Sequence, residues 1–310
     1  MGIDSQFIWM NGQMLPYEKA TVHFLNMTLH YGVGAFEGIR CYDTPKGPAV
    51  FRLSEHMQRL IDSTKVIGFN EFPYTVEELS QAVRDVVKAN DLKECYIRPL
   101  VYLNSPGLGL NLAGSSVQVG IAAWEWGHFL GEDALEKGIR ANIASFTRHH
   151  PNVSMTKAKI TGNYANSMLA KTESVRLGFE EAIMLDPQGY IAECTGENIF
   201  LVRGGKLYTT PTATILEGIT RASLLTIAAD LGYTVIEQPI SRDQLYIADE
   251  VFVCGSAAEV IAIREVDFRR IGSGVCGPVT RILQKGYHTA IHGEDERYGG
   301  WLDLVESSDE

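Results

Sequence analysis

Two residues of this 310-residue chain, Lys159 and Glu193, offer the most chemistry, because of what surrounds them. The lysine lies in Met155-Thr-Lys-Ala-Lys-Ile-Thr-Gly-Asn-Tyr164, the glutamate in Tyr190-Ile-Ala-Glu-Cys-Thr-Gly-Glu-Asn-Ile199. A lysine that loses its proton in an apolar pocket condenses with an aldehyde to a Schiff base. A fixed carboxylate keeps a pyridine nitrogen protonated, which makes the ring an electron sink. Together the pair points to pyridoxal phosphate.

Lys157 competes with Lys159 for the aldehyde. In an extended segment the two side chains share a face, so periodicity does not choose between them. The neighbours favour Lys159: Gly162-Asn163-Tyr164 follows it with a tight turn and a phenol. A phosphate needs converging donors. Gly218 precedes a predicted helix, so the amides of Ile219 and Thr220 are candidates. Ser256, in the turn after Cys254, offers a hydroxyl, and Arg59 a bidentate contact. Tyr96 and Arg98 alternate onto one face of a buried-looking strand, and an arginine buried there calls for a carboxylate partner. Tyr31, Phe36, Leu110, Trp126 and Phe129 are candidate apolar walls. His149 and His150 lack ligands at a recognised spacing, so no metal site is expected. No G-x-S-x-G elbow supports a hydrolase triad.

The elements that must position these groups alternate between strand and helix. Phe7-Ile-Trp-Met-Asn-Gly12 reads as the start of a hairpin with an Asn-Gly turn. Strands are expected over 35–42, 95–103, 117–124, 139–147, 182–185, 190–193, 198–202, 234–237 and 251–254. Helical spacing of Leu53, Met57, Leu60, Ile61 and Val66 predicts one helix, and the capping box Thr75-Val-Glu-Glu78 opens a second. Further helices are expected over 164–177, stopped by Gly178, over 220–231, stopped by Gly232, and from Pro278.

Length favours two domains. A formal charge of −11 argues against general nucleic-acid or anionic-lipid binding. The five cysteines show no C-x-x-C spacing and read as reduced thiols. The N-terminus lacks a basic or apolar signal region, and no apolar run spans a bilayer, so a soluble cytoplasmic protein is expected.

The segments Leu29-His-Tyr-Gly-Val-Gly-Ala-Phe-Glu-Gly-Ile-Arg40, Glu55-His-Met-Gln-Arg-Leu60, Tyr96-Ile-Arg-Pro99, Lys159-Ile-Thr-Gly-Asn-Tyr164, Glu193-Cys-Thr-Gly-Glu-Asn198, Gly218-Ile-Thr-Arg221 and Gly255-Ser-Ala-Ala-Glu259 run in order over nearly the whole chain. In them the chain resembles the branched-chain amino acid aminotransferases of the fold-type IV pyridoxal-phosphate enzymes. The resemblance implies an α/β (α+β) architecture with a small N-terminal domain (1–124), a linker (125–135), and a larger C-terminal domain (136–310) with a barrel-like sheet, the cofactor lying between the domains. It implies that Lys159 is the Schiff-base lysine and proton shuttle, that Glu193 meets the pyridine nitrogen, and that Tyr164 sits near O3′. Arg59, the Ile219 and Thr220 amides and Ser256 would hold the phosphate. Tyr96 with the amides of Ser256 and Ala257 would meet the substrate α-carboxylate. Phe36, Gly38, Leu110, Trp126 and Phe129 would shape the side-chain pocket, and Arg98 would take the distal carboxylate of glutamate. Tyr31 would come from a neighbouring subunit, making a homodimer the minimum and a homohexamer the larger candidate. Phe129 stands where tyrosine is common and Ser256 where threonine is common; the first departure implies weaker glutamate recognition or an altered amine scope, the second almost no change. The implied reaction is amino transfer from leucine, isoleucine or valine to 2-oxoglutarate. D-amino acid aminotransferase, (R)-amine transaminase and aminodeoxychorismate lyase are the alternatives on the same fold. A catalytically silent ligand-binding protein and a histidine hydrolase are the alternatives of other classes.

Overall fold

The computed structural model describes residues 5–69, 71–104, 107–127 and 133–306. Contacts divide the chain into two units. The first comprises Met1–Gly127, Ala158–Gly162 and Thr289–Glu310, the second His128–Lys157 and Asn163–His288. The lysine segment and the C-terminal stretch therefore group with the first unit, although both fall inside the continuous second domain that the sequence suggests.

The first unit is built on an antiparallel sheet of eight strands. Its hairpin Phe7–Met10/Gln13–Pro16 turns through Asn11 and Gly12, both at positive φ, as an Asn-Gly turn requires. The long strands Cys95–Asn104 and Ser116–Trp124 pair in register from Tyr96↔Trp124 to Asn104↔Ser116. The strand expected over 35–42 is interrupted at Glu37 and Gly38, yet the register is the same on both sides: Phe36 faces Leu100 and Ile39 faces Ile97. The turn at 44–47 leads into a further strand, Gly47–Phe51, which Gly47 and Pro48 conceal from a propensity reading. Helix Leu53–Ile67 buries Leu53, His56, Met57, Leu60, Ser63 and Thr64, one stripe of three-four spacing, and stops at Gly68 with φ 96°. Helix Val76–Ala89 begins with the expected capping box, Thr75 and Glu78 satisfying each other's backbone amides. Leu60 and Leu79 sit fully buried in the core between helices and sheet, where truncating either to alanine costs about 2–5 kcal/mol.

The second unit carries a mixed nine-stranded sheet of curled, half-barrel form. Strand Ile139–Ile143 runs parallel to both Glu259–Val266 and Glu181–Leu185. The expected continuation to residue 147 fails because the Ser145 amide leaves the sheet and donates to the Glu173 carboxylate at 2.9 Å. Helices Tyr164–Arg176 and Ile219–Asp230 fall within a residue or so of their sequence limits. Glu259–Val266 and the short helix Arg242–Tyr246 are additions to the sequence reading.

Candidate active site

In the first unit, residues 158–162 run alongside residues 32–36, with a single bridge at Ile160 and a 3-10 turn from Thr161. The Phe36 amide donates to the Lys159 carbonyl at 3.0 Å, Thr161 N–H to the Gly34 carbonyl at 2.9 Å, and Gly162 N–H to the Gly32 carbonyl at 2.9 Å. Gly32 has φ 68°, and a Cβ there would stand 2.8 Å from the Gly162 Cα, so this approach of two backbones requires glycine. From the other side, the Lys159 amide donates to Ser63 Oγ at 3.0 Å. The Lys159 backbone is thus fixed on both edges, and its Nζ lies 5.1 Å from the centroid of the Phe36 ring. Lys157 belongs to the second unit. It is exposed, its Nζ is 2.6 Å from Glu217 Oε1, and it also donates to the Thr212 carbonyl. The two lysines do not share one strand face: residues 156–158 form bends, and the only strand-like feature there is a bridge of Ile160 to Ala35.

Phe36 serves two cations. The Arg98 guanidinium lies 4.8 Å from the same ring and 5.3 Å from Tyr96, and donates to Tyr96 Oη at 3.2 Å. Arg98 Nε is buried with no hydrogen-bond partner among the described residues. Trp126 stacks on Tyr96 at 4.3 Å and 23°. Phe36, Tyr96, Arg98, Trp126 and Lys159 thus form one cluster. Gly38 backs it, since a Cβ at that position would overlap Tyr96 Oη. Gly38→Ala is therefore expected to displace the phenol and lower kcat/KM by roughly 10–100-fold, from about 1–3 kcal/mol of overpacking. Steady-state kinetics with leucine check this, and an unchanged kcat/KM would remove Tyr96 from the pocket. Tyr31 is exposed and donates to the Leu108 carbonyl at 2.7 Å, and Leu110 is 89% exposed; neither joins the cluster within the chain. Phe129 lies outside the described residues.

Arg59 holds a carboxylate that the sequence reading passed over. Its Nε and a terminal nitrogen donate to the two oxygens of Glu37 at 2.6 and 2.8 Å, and His56 Nδ1 contacts the same carboxylate at 2.8 Å. The signal was present: the buried His56 and the half-buried Arg59 are three residues apart on one helix.

In the second unit Glu193 lies next to the end of strand Ile191–Cys194 and is only 6% exposed. Arg148 reaches its Oε1 at 2.7 Å, while the Leu216 amide and the Asn198 side chain donate to Oε2 at 3.2 and 3.4 Å. Arg148 was not legible as a partner, because it lies 45 residues away in irregular chain (193 − 148). Beside it, burial and the Arg148 charge lower the His149 pKa to about 4. The segment that covers Glu193 continues into helix Ile219–Asp230, whose N-cap Gly218 supplies no side-chain cap, so no side chain of the cap occupies the Ile219 and Thr220 amides. Ser256 and Ala257 lie in the turn between strands Glu250–Gly255 and Glu259–Val266, the first of which pairs with Asn198 through Cys254. Tyr164 opens helix Tyr164–Arg176.

Behind Glu193 lies a buried cluster. Lys171 pairs with Glu181, Thr195 Oγ1 donates to Glu181 at 2.5 Å, and the Gly196 amide donates to Glu197 at 3.1 Å. Burial, reinforced by the Glu181 charge and only partly offset by Lys171, pushes the Glu197 carboxyl up to about 8. The folded protein then holds a proton that the unfolded chain releases above about pH 4.3, so this group makes stability fall as pH rises through that window. Glu197→Gln should melt above wild type by a margin that widens between about pH 5 and 8, by at most about 1.4 kcal/mol per pH unit. Thermal unfolding across that range measures it; a margin independent of pH would place the proton elsewhere.

The model of the class IV aminotransferases matches residues 34–266. The branched-chain-amino-acid aminotransferase of Pseudomonas aeruginosa is 50% identical over 298 residues, covering 96% of this chain and 97% of that protein. The crystal structure of the Escherichia coli branched-chain amino acid aminotransferase superposes with a TM-score of 0.95 at 48% identity, covering 98% of this chain and 100% of that one. The branched-chain amino acid aminotransferase of Thermobaculum terrenum, solved in its PLP-bound holo-form, superposes with a TM-score of 0.92 at 34% identity, covering 99% of this chain and 100% of that one. The chain belongs to the class IV aminotransferases, and within them to the branched-chain-amino-acid aminotransferases.

Proposed function

We propose that this chain transfers the amino group of leucine, isoleucine or valine to 2-oxoglutarate, with pyridoxal 5′-phosphate as cofactor. The residues present suit that group. A buried carboxylate held by three donors complements a protonated ring nitrogen, and a helix N-terminus without a side-chain cap complements a phosphate ester. When bound, the cofactor supplies a carbonyl carbon to carry the amino group and a ring to delocalise the electron pair left at the substrate Cα. Lys159 Nζ removes the Cα proton in one direction and returns it in the other. Glu193 counters the ring charge, with Arg148 fixing its orientation. Tyr164 donates to the ring's phenolic oxygen. Arg59, the Ile219 and Thr220 amides and Ser256 bind phosphate. Tyr96 and the Ser256 and Ala257 amides orient the α-carboxylate, and Arg98 receives the distal carboxylate of glutamate.

The observation that carries this reading is the Phe36 ring with Lys159 on it and Arg98 beside Tyr96 on it. An apolar surface of that kind takes a leucine side chain, and the buried Nε of Arg98 takes a carboxylate. Both substrates then use one pocket. Turnover of leucine with 2-oxoglutarate, compared with D-alanine, tests the assignment: activity confined to D-alanine would overturn it.

We infer a homodimer as the minimum unit, with a homohexamer as the larger candidate. Tyr31 and Leu110 are open to solvent within one copy and would wall the site of a second. A cytoplasmic location suits the five buried, unbridged cysteines and, among the described residues, the absence of any helix long and apolar enough to cross a membrane.

A further inference from the structure

We propose that Glu37, seconded by His56, is a positioning residue that aims the Arg59 guanidinium at the cofactor's phosphate. The inference rests on the reading of Arg59 as a phosphate ligand and goes beyond it. Glu37 is completely buried. Its carboxylate accepts from Arg59 at 2.6 and 2.8 Å, from His56 Nδ1 at 2.8 Å and from the Gly38 amide at 3.3 Å. Burial works against the charge of Glu37, but Arg59 and His56 overcome it and hold the carboxyl well below the usual range. For His56, burial outweighs the attraction of Glu37 and lowers its pKa, so the ring is neutral and Nδ1 carries the proton given to Glu37.

One helix face organises this arrangement. His56, Arg59 and Ser63 follow at helical spacing on Leu53–Ile67; Ser63 Oγ donates to the Arg59 carbonyl at 2.8 Å and accepts the Lys159 amide. The same turns therefore fix the anion-binding arginine and the lysine backbone. A neutral histidine, an anionic glutamate and a cationic arginine sum to no net charge, so Arg59 offers a phosphate mainly direction. Two parallel N–H bonds to Glu37 leave the plane of the guanidinium no freedom to turn.

This makes the sign of the test informative. If Glu37 merely neutralised Arg59, Glu37→Gln would strengthen phosphate binding; if it aims Arg59, the same change weakens it. The full chain, stripped of cofactor, is titrated with pyridoxal 5′-phosphate and with pyridoxal, which lacks the phosphate. E37Q is expected to lose about 10–100-fold of its preference for the phosphorylated aldehyde, the span of a charged hydrogen bond, with pyridoxal affinity unchanged. His56→Asn should lose a smaller part of the same preference. An unchanged or increased preference in E37Q overturns the proposal. Should E37Q not fold, H56N decides alone: a reduced preference supports the role and an unchanged one overturns it. Arg59→Gln separates the two levels. If it leaves the preference intact, the underlying reading of Arg59 fails. If it abolishes the preference while E37Q and H56N keep it, only the positioning role fails.

Discussion

Lys159→Ala is expected to lower leucine turnover by about four orders of magnitude or more, because in the proposed mechanism one side chain supplies both covalent attachment and proton transfer. The loss should fall on the rate of chemistry rather than on binding of the amino acid, whose pocket residues Tyr96, Arg98 and Trp126 remain stacked. Lys157→Ala is the control. Lys157 is exposed and paired with Glu217, and such a surface pair contributes about 0–1 kcal/mol, so turnover should stay near wild type. Steady-state rates of the two variants, with borohydride trapping and peptide mapping of the wild type, provide the measurement. A label on Lys157, or an active K159A, would be incompatible with the assigned roles.

Glu193 should show the second-largest effect, on catalysis and on stability alike. Glu193→Gln keeps the shape of the side chain but removes the charge proposed to face the ring nitrogen. Turnover should fall roughly 10²–10³-fold, as for loss of a preorganised electrostatic partner. Both substitutions should also weaken folding, since each leaves Arg148 buried without the counter-charge it meets at 2.7 Å; breaking such a pair costs about 3–5 kcal/mol, and the alanine, which keeps no acceptor at all, should lose more than the glutamine. Rapid-mixing kinetics with leucine and denaturant unfolding read the two effects separately. If E193Q turned over like wild type, the carboxylate would not be the ring's counter-charge. If both variants were as stable as wild type, the Arg148 pair would contribute little to folding.

Local rules carried a good part of the fold into the sequence. Helix Leu53–Ile67 follows from apolar spacing, helix Val76–Ala89 from a capping box, and the first hairpin from Asn11-Gly12. Each signal is completed within a few residues, so no distant partner can alter it. Strand Gly47–Phe51 eluded the reading because its pairing with residues 41–44 and with Leu302–Leu304, not its propensity, makes it a strand.

The site divides in the same way. Residue type and immediate neighbours marked Lys159, Glu193, Tyr96 and Arg98, since an amine, a carboxylate, a phenol and a guanidinium keep their chemistry in any fold. Alternation could not separate Lys157 from Lys159; the neighbours Gly162-Asn163-Tyr164 favoured Lys159, and the tertiary structure added the bonds of residues 159–162 to residues 32–36 and to Ser63. Nor could spacing pair Arg148 with Glu193 or Glu37 with Arg59, for these contacts join residues 45 and 22 positions apart. Sequence thus determined which reactive groups the chain owns and the short elements that carry them. Long-range packing decided their partners and directions, because an ion pair or a backbone hydrogen bond acts only over a few ångströms, whatever the distance along the chain.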